Sequence, residues 1–105
     1  MTTAIFNYQN NQIKSFQIKG HANYAEYGYD IVCSGITTAV FTSLGLIQKY
    51  LSESDYDYQE LDGNISLTLI NTNQIVNDII ENLIEVLKNV ECQYPKNLKI
   101  KIAKV

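Results

Sequence analysis

The chain has 105 residues and a mass of 11.9 kDa, which is one domain with little room for a second. Apolar residues make up 46% and charged residues 18%, so intrinsic disorder is excluded. The eight basic residues are all lysines, set against eleven acids for a net charge of −3; an acidic chain without arginine argues against a nucleic-acid groove and leaves peptides and proteins, basic ones above all, as polymer partners.

The chain opens on Thr3-Ala4-Ile5-Phe6-Asn7-Tyr8, which reads as a strand, and Asn10-Asn11 marks a turn. Ile13, Ser15-Phe16 and Ile18 follow at strand-like spacing, so a hairpin ending at Gly20 is expected. Residues 20–29 form a loop of small and aromatic residues. Asp30 is expected to open a helix and to cap its first amides.

Along that helix Ile36, Val40, Leu44, Ile47 and Leu51 recur at helical spacing and face a sheet. Ser34, Thr38, Thr42 and Gly45 form a second stripe of small residues, suited to close approach by another helix from this chain or from a second copy. No charge falls between Ile31 and Gln48, but its hydroxyls and glycines make this stretch too polar for a lone membrane span, so a core helix is expected.

Tyr56 to Leu61 and Ile65 to Ile70 read as two strands joined at Asp62-Gly63-Asn64, a strong hairpin signal. Asn71 is expected to cap a second helix, with Gln74 in the capping-box position. Its apolar face is read as Ile75, Ile79, Leu83, Val86 and Val90, with Val76, Ile80 and Leu87 beside it. Tyr94-Pro95 stops that helix, and Leu98, Ile100 and Ile102 alternate with lysines in a final edge strand. The expected architecture is α+β, one domain over residues 1–105, in the order ββαββαβ with a mostly antiparallel sheet under two helices.

Chemistry concentrates around one loop. His21 is the lone histidine, and Cys33 is expected in the first turn of the first helix, three residues past the Asp30 cap. Amides at a helix start are unpaired and carry the positive end of the dipole, which favours a thiolate. An imidazole nearby can serve as base, and the backbone amides of Cys33 and Ser34 can hold an oxyanion. The plainer alternatives are a cysteine that acts as a small core hydrophobe and a histidine that is only a loop residue. Asp30 either caps the helix or orients His21. Tyr24, Tyr27, Gly28 and Tyr29 either anchor the loop or line a groove for an apolar or aromatic side chain. Cys92 sits at a helix C-terminus, where the dipole disfavours thiolate. His21, Cys33 and Asp30 lack a paired-ligand motif, so no metal site is expected. Nothing like a signal peptide follows Met1, so reduced thiols and a cytoplasmic location are expected.

Gly20-His21-Ala22 followed by Gly28-Tyr29-Asp30-Ile31-Val32-Cys33 and a small-residue helix resembles the ribosomal-processing cysteine protease family of bacteria. The resemblance extends more weakly through Tyr94-Pro95 to the end of the chain. It implies a cytoplasmic, cofactor-free homodimer that removes a short N-terminal extension from the large-subunit ribosomal protein numbered twenty-seven, cutting after an aromatic residue. It also implies that His21 is the catalytic histidine, Cys33 the nucleophile and Asp30 the motif aspartate, with no membrane or direct nucleic-acid partner. Ser34 stands where the family usually has alanine, and Thr37 where serine is common. A non-catalytic ribosome-associated module on the same fold is the rival reading. A redox sensor is a third, against which stands the lack of a resolving cysteine near Cys33.

Overall fold

The computed structural model describes residues 1–20 and 29–105, the backbone alone at 29 and 30. The elements are β1 (Thr2–Gln9), β2 (Gln12–Lys19), α1 (Tyr29–Tyr50), a 3₁₀ turn (Glu53–Asp55), β3 (Tyr56–Leu61), β4 (Asn64–Leu69), α2 (Gln74–Gln93) and β5 (Leu98–Lys104). The order is the expected ββαββαβ. The strands form one sheet in the order β3-β4-β2-β1-β5, antiparallel throughout except where β5 lies parallel to β1.

Both hairpins turn as their residues dictate. Asn10 and Asn11 have φ of 54° and 63°, and Asp62 and Gly63 have 51° and 79°. Two left-handed residues in a row give the turn whose twist matches that of the flanking strands, and Asn, Asp and Gly are the residues that tolerate it.

One irregularity explains a pattern that strict alternation forbids. Ile13 and Phe16 are both buried, although they are three apart. Between Asn7↔Ser15 and Tyr8↔Ile13 the pairing skips Lys14, a bulge that turns Ile13 back toward the core. The Ile13 N–H then donates to Oδ1 of the buried Asn77 on α2, at 3.0 Å. Lys14 Nζ donates to the Leu69 carbonyl at 2.6 Å. A buried amide on the helix thus satisfies the strand donor at the bulge.

The core lies on one side of the sheet. Ala4, Phe6, Phe16, Ile18, Ile65, Leu67, Leu69 and Leu98 form one cluster with Val32, Ile36, Val40, Leu44 and Ile47 of α1 and with Val76, Ile80, Leu83, Ile84 and Leu87 of α2. Both helices therefore cover the same face. The other face is polar, with rows such as Gln17, Ser66 and Gln59 in register across β2, β4 and β3. This is the one-sided burial usual for an antiparallel sheet.

Two expectations about the helices need correction, and an alternative left open is decided. The α2 cap is Asn73, whose Oδ1 accepts from the Val76 N–H at 2.9 Å, rather than Asn71. Asn71 instead donates to Asp55 Oδ1 at 3.0 Å. That contact and the Ser52 N–H hold the Asp55 carboxyl below its ordinary range, the Ser52 N–H contributing most. The α2 core stripe is also rotated: Ile75 and Val86 are 50% and 39% exposed, while Val76, Ile80, Leu83, Ile84 and Leu87 are buried. Finally, Ser34, Thr38, Thr42 and Gly45 of α1 are all exposed, so α2 does not fill the small-residue stripe. Ile31–Tyr50 of α1 is long and apolar enough to cross a membrane, yet its inner stripe belongs to the core cluster.

Candidate active site

Gly20 ends β2 and fixes where the following loop departs. Its φ is +72°, and a Cβ there would stand 2.8 Å from the Met1 carbonyl oxygen. Only glycine fits both the left-handed backbone and the close approach. The Gly20 N–H donates to Asn64 Oδ1 at 3.1 Å, which ties this point to the turn between β3 and β4.

Cys33 arrives at the same turn from the other side. It is half-buried and lines a narrow cleft with Thr2, Ile18, Ile36, Thr37, Val40, Gly63 and Ile65. The walls of this cleft are core side chains from α1, β2 and β4, so the cysteine stands on rigid elements. Thr2 Oγ1, buried in the cleft, has no hydrogen-bond partner among the described residues. Outward from Cys33, a shallow depression of about 380 Å³ is lined, among the described residues, by Cys33, Ser34, Thr37 and Thr38. A sulfur between a packed cleft and an open depression is held in place and still reachable by a polymer. Cys92, near the end of α2, is exposed and lines neither hollow.

The helix begins one residue earlier than expected, at Tyr29, which places Asp30 within the first turn rather than ahead of it. A carboxylate in the first turn complements the helix dipole as a cap would. Cys33 is then the fifth helical residue and Ser34 the sixth. In a regular helix their N–H groups pair with the carbonyls four residues back, and the amides left free are those of the opening turn. Helical side chains lean toward the N-terminus, so the Cys33 sulfur is carried back toward that turn.

His21, Tyr24, Tyr27 and Gly28 lie outside the described residues, and Tyr29 and Asp30 enter through their backbone alone. The structure thus brings together the two ends of the sequence motif, Gly20 and Cys33, at one hairpin turn. Sequence reading missed Thr2, Gly63 and Asn64 as parts of this site. Asp62-Gly63-Asn64 was legible as a turn, but no local pattern signals that it stands beside a cysteine thirty residues earlier.

A family model described as cysteine protease Prp matches residues 1–99. The chain is 33% identical over 86 residues to the ribosomal processing cysteine protease Prp of Staphylococcus aureus, covering 77% of this chain and 78% of that one. It is 31% identical over 97 residues to the protein of that name from Bacillus subtilis, covering 84% of each. Among solved structures, the ribosomal processing protease Prp from S. aureus in complex with a substrate peptide superposes with a TM-score of 0.87 at 25% identity, over 97% of this chain and 99% of that one. The same S. aureus protein with a covalently linked product peptide gives 0.85 over the same shares, also at 25% identity. A shared fold, the matched family and relatives named for the same proteolysis leave one conclusion: the chain belongs to the Prp family of ribosomal-processing cysteine proteases and is a cysteine protease.

Proposed function

We propose that this protease removes the N-terminal extension of the large-subunit ribosomal protein numbered twenty-seven, in the cytoplasm, with Cys33 as nucleophile and His21 as its base. The observation that carries this reading is the position of Cys33 between a rigid cleft and an open depression, at the hairpin turn to which Gly20, the neighbour of His21, is hydrogen-bonded. The relative that superposes best among those described holds a substrate peptide, and another of its structures holds a product peptide covalently linked.

The chemistry follows from these parts. His21 takes the Cys33 proton, and the sulfur attacks the carbonyl carbon of the scissile bond. The opening amides of α1 receive the oxyanion. His21 returns its proton to the leaving amine, which departs with the mature ribosomal protein. Water, deprotonated by His21, then attacks the thioester and frees the extension as a carboxylic acid. No step calls for a metal or an organic cofactor. In this reading Asp30 supports the site, and Tyr24, Tyr27, Gly28 and Tyr29 are the residues that select an aromatic residue before the cut.

The protease works as a homodimer joined through the outer face of α1. That face carries Ser34, Gly35, Thr38, Thr42 and Gly45 beside the exposed Ile31, Phe41 and Leu46, with no charge between Asp30 and Lys49. A Cβ added at Gly35 or Gly45 meets nothing within 4 Å among the described residues, which leaves room for a partner.

Mass spectrometry of the ribosomal protein's N-terminus after incubation with this chain is the test. Loss of the extension with the wild type, and its retention with Cys33→Ser and with His21→Ala, is the expected result. Intact ribosomal protein after incubation with the wild type rejects this substrate. Processing by a folded Cys33→Ser variant removes Cys33 from the mechanism.

A further inference from the structure

The sheet has two free edges, and they are finished differently. At β5 the Ile100 N–H, which faces away from β1, is taken by Glu91 Oε2 of α2 at 2.7 Å, and the Leu98 N–H donates to the Tyr94 carbonyl. Lys99, Lys101 and Lys104 add charge along that strand. These are the ordinary means of keeping an edge from pairing.

At β3 no such closure is present among the described residues. The two-residue turn at Asp62-Gly63 makes Leu61 and Asn64 a hydrogen-bonded pair, so Leu61, Gln59 and Asp57 point their backbone groups toward β4. Asp55 continues that phase, its carbonyl accepting from the Ile70 and Asn71 N–H groups. Tyr56, Tyr58 and Glu60 therefore present N–H and C=O groups outward, and no backbone or side-chain group among the described residues takes them. The open run is six residues, roughly 20 Å of strand.

Charge tells which chain this edge suits. Glu53, Asp55, Asp57, Glu60 and Asp62 are five of the eleven acids of the protein, and no lysine occurs between Lys49 and Lys88. The edge also leads to the site. Gly63, in the turn that ends β3, is a wall of the cleft that holds Cys33. Leu61, 73% exposed, stands at that same end.

We propose that the β3 edge takes an extended, basic segment of the substrate protein as a sixth strand, which delivers the scissile bond to Cys33. Backbone pairing along Tyr56, Tyr58 and Glu60 supplies affinity without regard to sequence, and the acidic side chains select lysine-rich and arginine-rich chains. This inference rests on the substrate reading above, since ribosomal proteins are basic as a class.

The decisive measurement is amide hydrogen exchange on the Cys33→Ser protein, with and without the full-length ribosomal protein carrying its extension. Slowed exchange at Tyr56, Tyr58 and Glu60, with Asp57 and Gln59 unchanged, is the expected period-two signature. Uniform or absent protection along β3 overturns the proposal, as does the same protection appearing in the protease alone at raised concentration, which would assign the edge to self-pairing. A second arm uses Asp57→Asn/Glu60→Gln/Asp62→Asn, three exposed side chains whose replacement leaves the backbone free to fold. The KM for the ribosomal protein should rise about tenfold while kcat holds, the equivalent of roughly 1.4 kcal/mol of ground-state binding. An unchanged KM overturns the acidic selection. Normal cleavage by the wild type with no protection at β3 sinks this inference alone. Alternating protection without any cleavage by the wild type sinks the proposed substrate reaction and leaves the docking edge standing.

Discussion

The two helices are nearly equal in length, 22 and 20 residues, and they cover the same sheet face, yet they are opposites on their outer sides. α2 shows solvent Asp78, Glu81, Glu85 and Lys88, as a helix does when one face is buried and the other wet. Between Asp30 and Lys49, α1 shows small and apolar residues with no charge. Each carries a cysteine near one end: Cys33 at the start of α1, against a cleft, and Cys92 close to the end of α2, exposed. The difference teaches that burial within the chain explains most of α2 and only half of α1. What remains on α1, a positioned thiol and an uncharged flank, is where function and assembly are to be sought.

The largest expected effect separates the cysteines. Cys33→Ser should abolish processing while circular dichroism stays unchanged, and Cys92→Ser should process at the wild-type rate. A limiting dose of iodoacetamide near neutral pH should label Cys33 first, although Cys92 is the more exposed. Equal labelling on a peptide map would erase the distinction between the two helix ends.

Next comes the shared core. Ile47 of α1 and Ile80 of α2 are both fully buried, so each Ile→Ala should cost about 2–5 kcal/mol in a urea titration. A cost below about 1 kcal/mol at Ile47 alone would show that α1 is docked loosely, and would reopen its reading as a core helix.

The outer faces should respond unequally to a new charge. Thr42→Lys on α1 should weaken the homodimer at least roughly tenfold by light scattering, whereas Glu85→Lys on α2 should leave it intact. Monomer mass for the wild type at micromolar concentration would refute the dimer. Equal weakening by both substitutions would place the interface elsewhere.

The smallest effect concerns how α2 begins. Asn73→Ala removes both the cap to Val76 and the Nδ2 contact to the Tyr50 carbonyl at the end of α1, and should cost about 1 kcal/mol. Asn71→Ala should cost less, since its side chain serves an exposed contact to Asp55. If Asn71→Ala is the more damaging of the two in thermal melts, the cap has been assigned to the wrong asparagine.

Local chemistry made much of this legible in advance. Asn10-Asn11 and Asp62-Gly63 specify their own turns, because few residues accept two left-handed positions in succession. The 36/40/44/47 repeat of α1 specified its inner face. The α2 face was misjudged because Ile75 and Val86 are as apolar as Ile80 and Leu87, and composition alone does not choose between overlapping stripes. The α2 cap was misjudged because three asparagines and a threonine crowd residues 71–77, and which of them caps depends on where β4 releases the chain.

The sequence by itself determined the order of elements and both hairpins, since these rest on backbone preference and periodicity, and a motif of contiguous residues pointed to the family. Tertiary structure alone decided that Gly20 and Cys33 meet at the Gly63-Asn64 turn, that Lys14 is a bulge answered by Asn77, that the small stripe of α1 is left uncovered, and that one sheet edge is closed while the other stays open. Each of these depends on which surfaces remain after the core has formed, and that is settled by packing between residues distant in the chain, which no local pattern encodes.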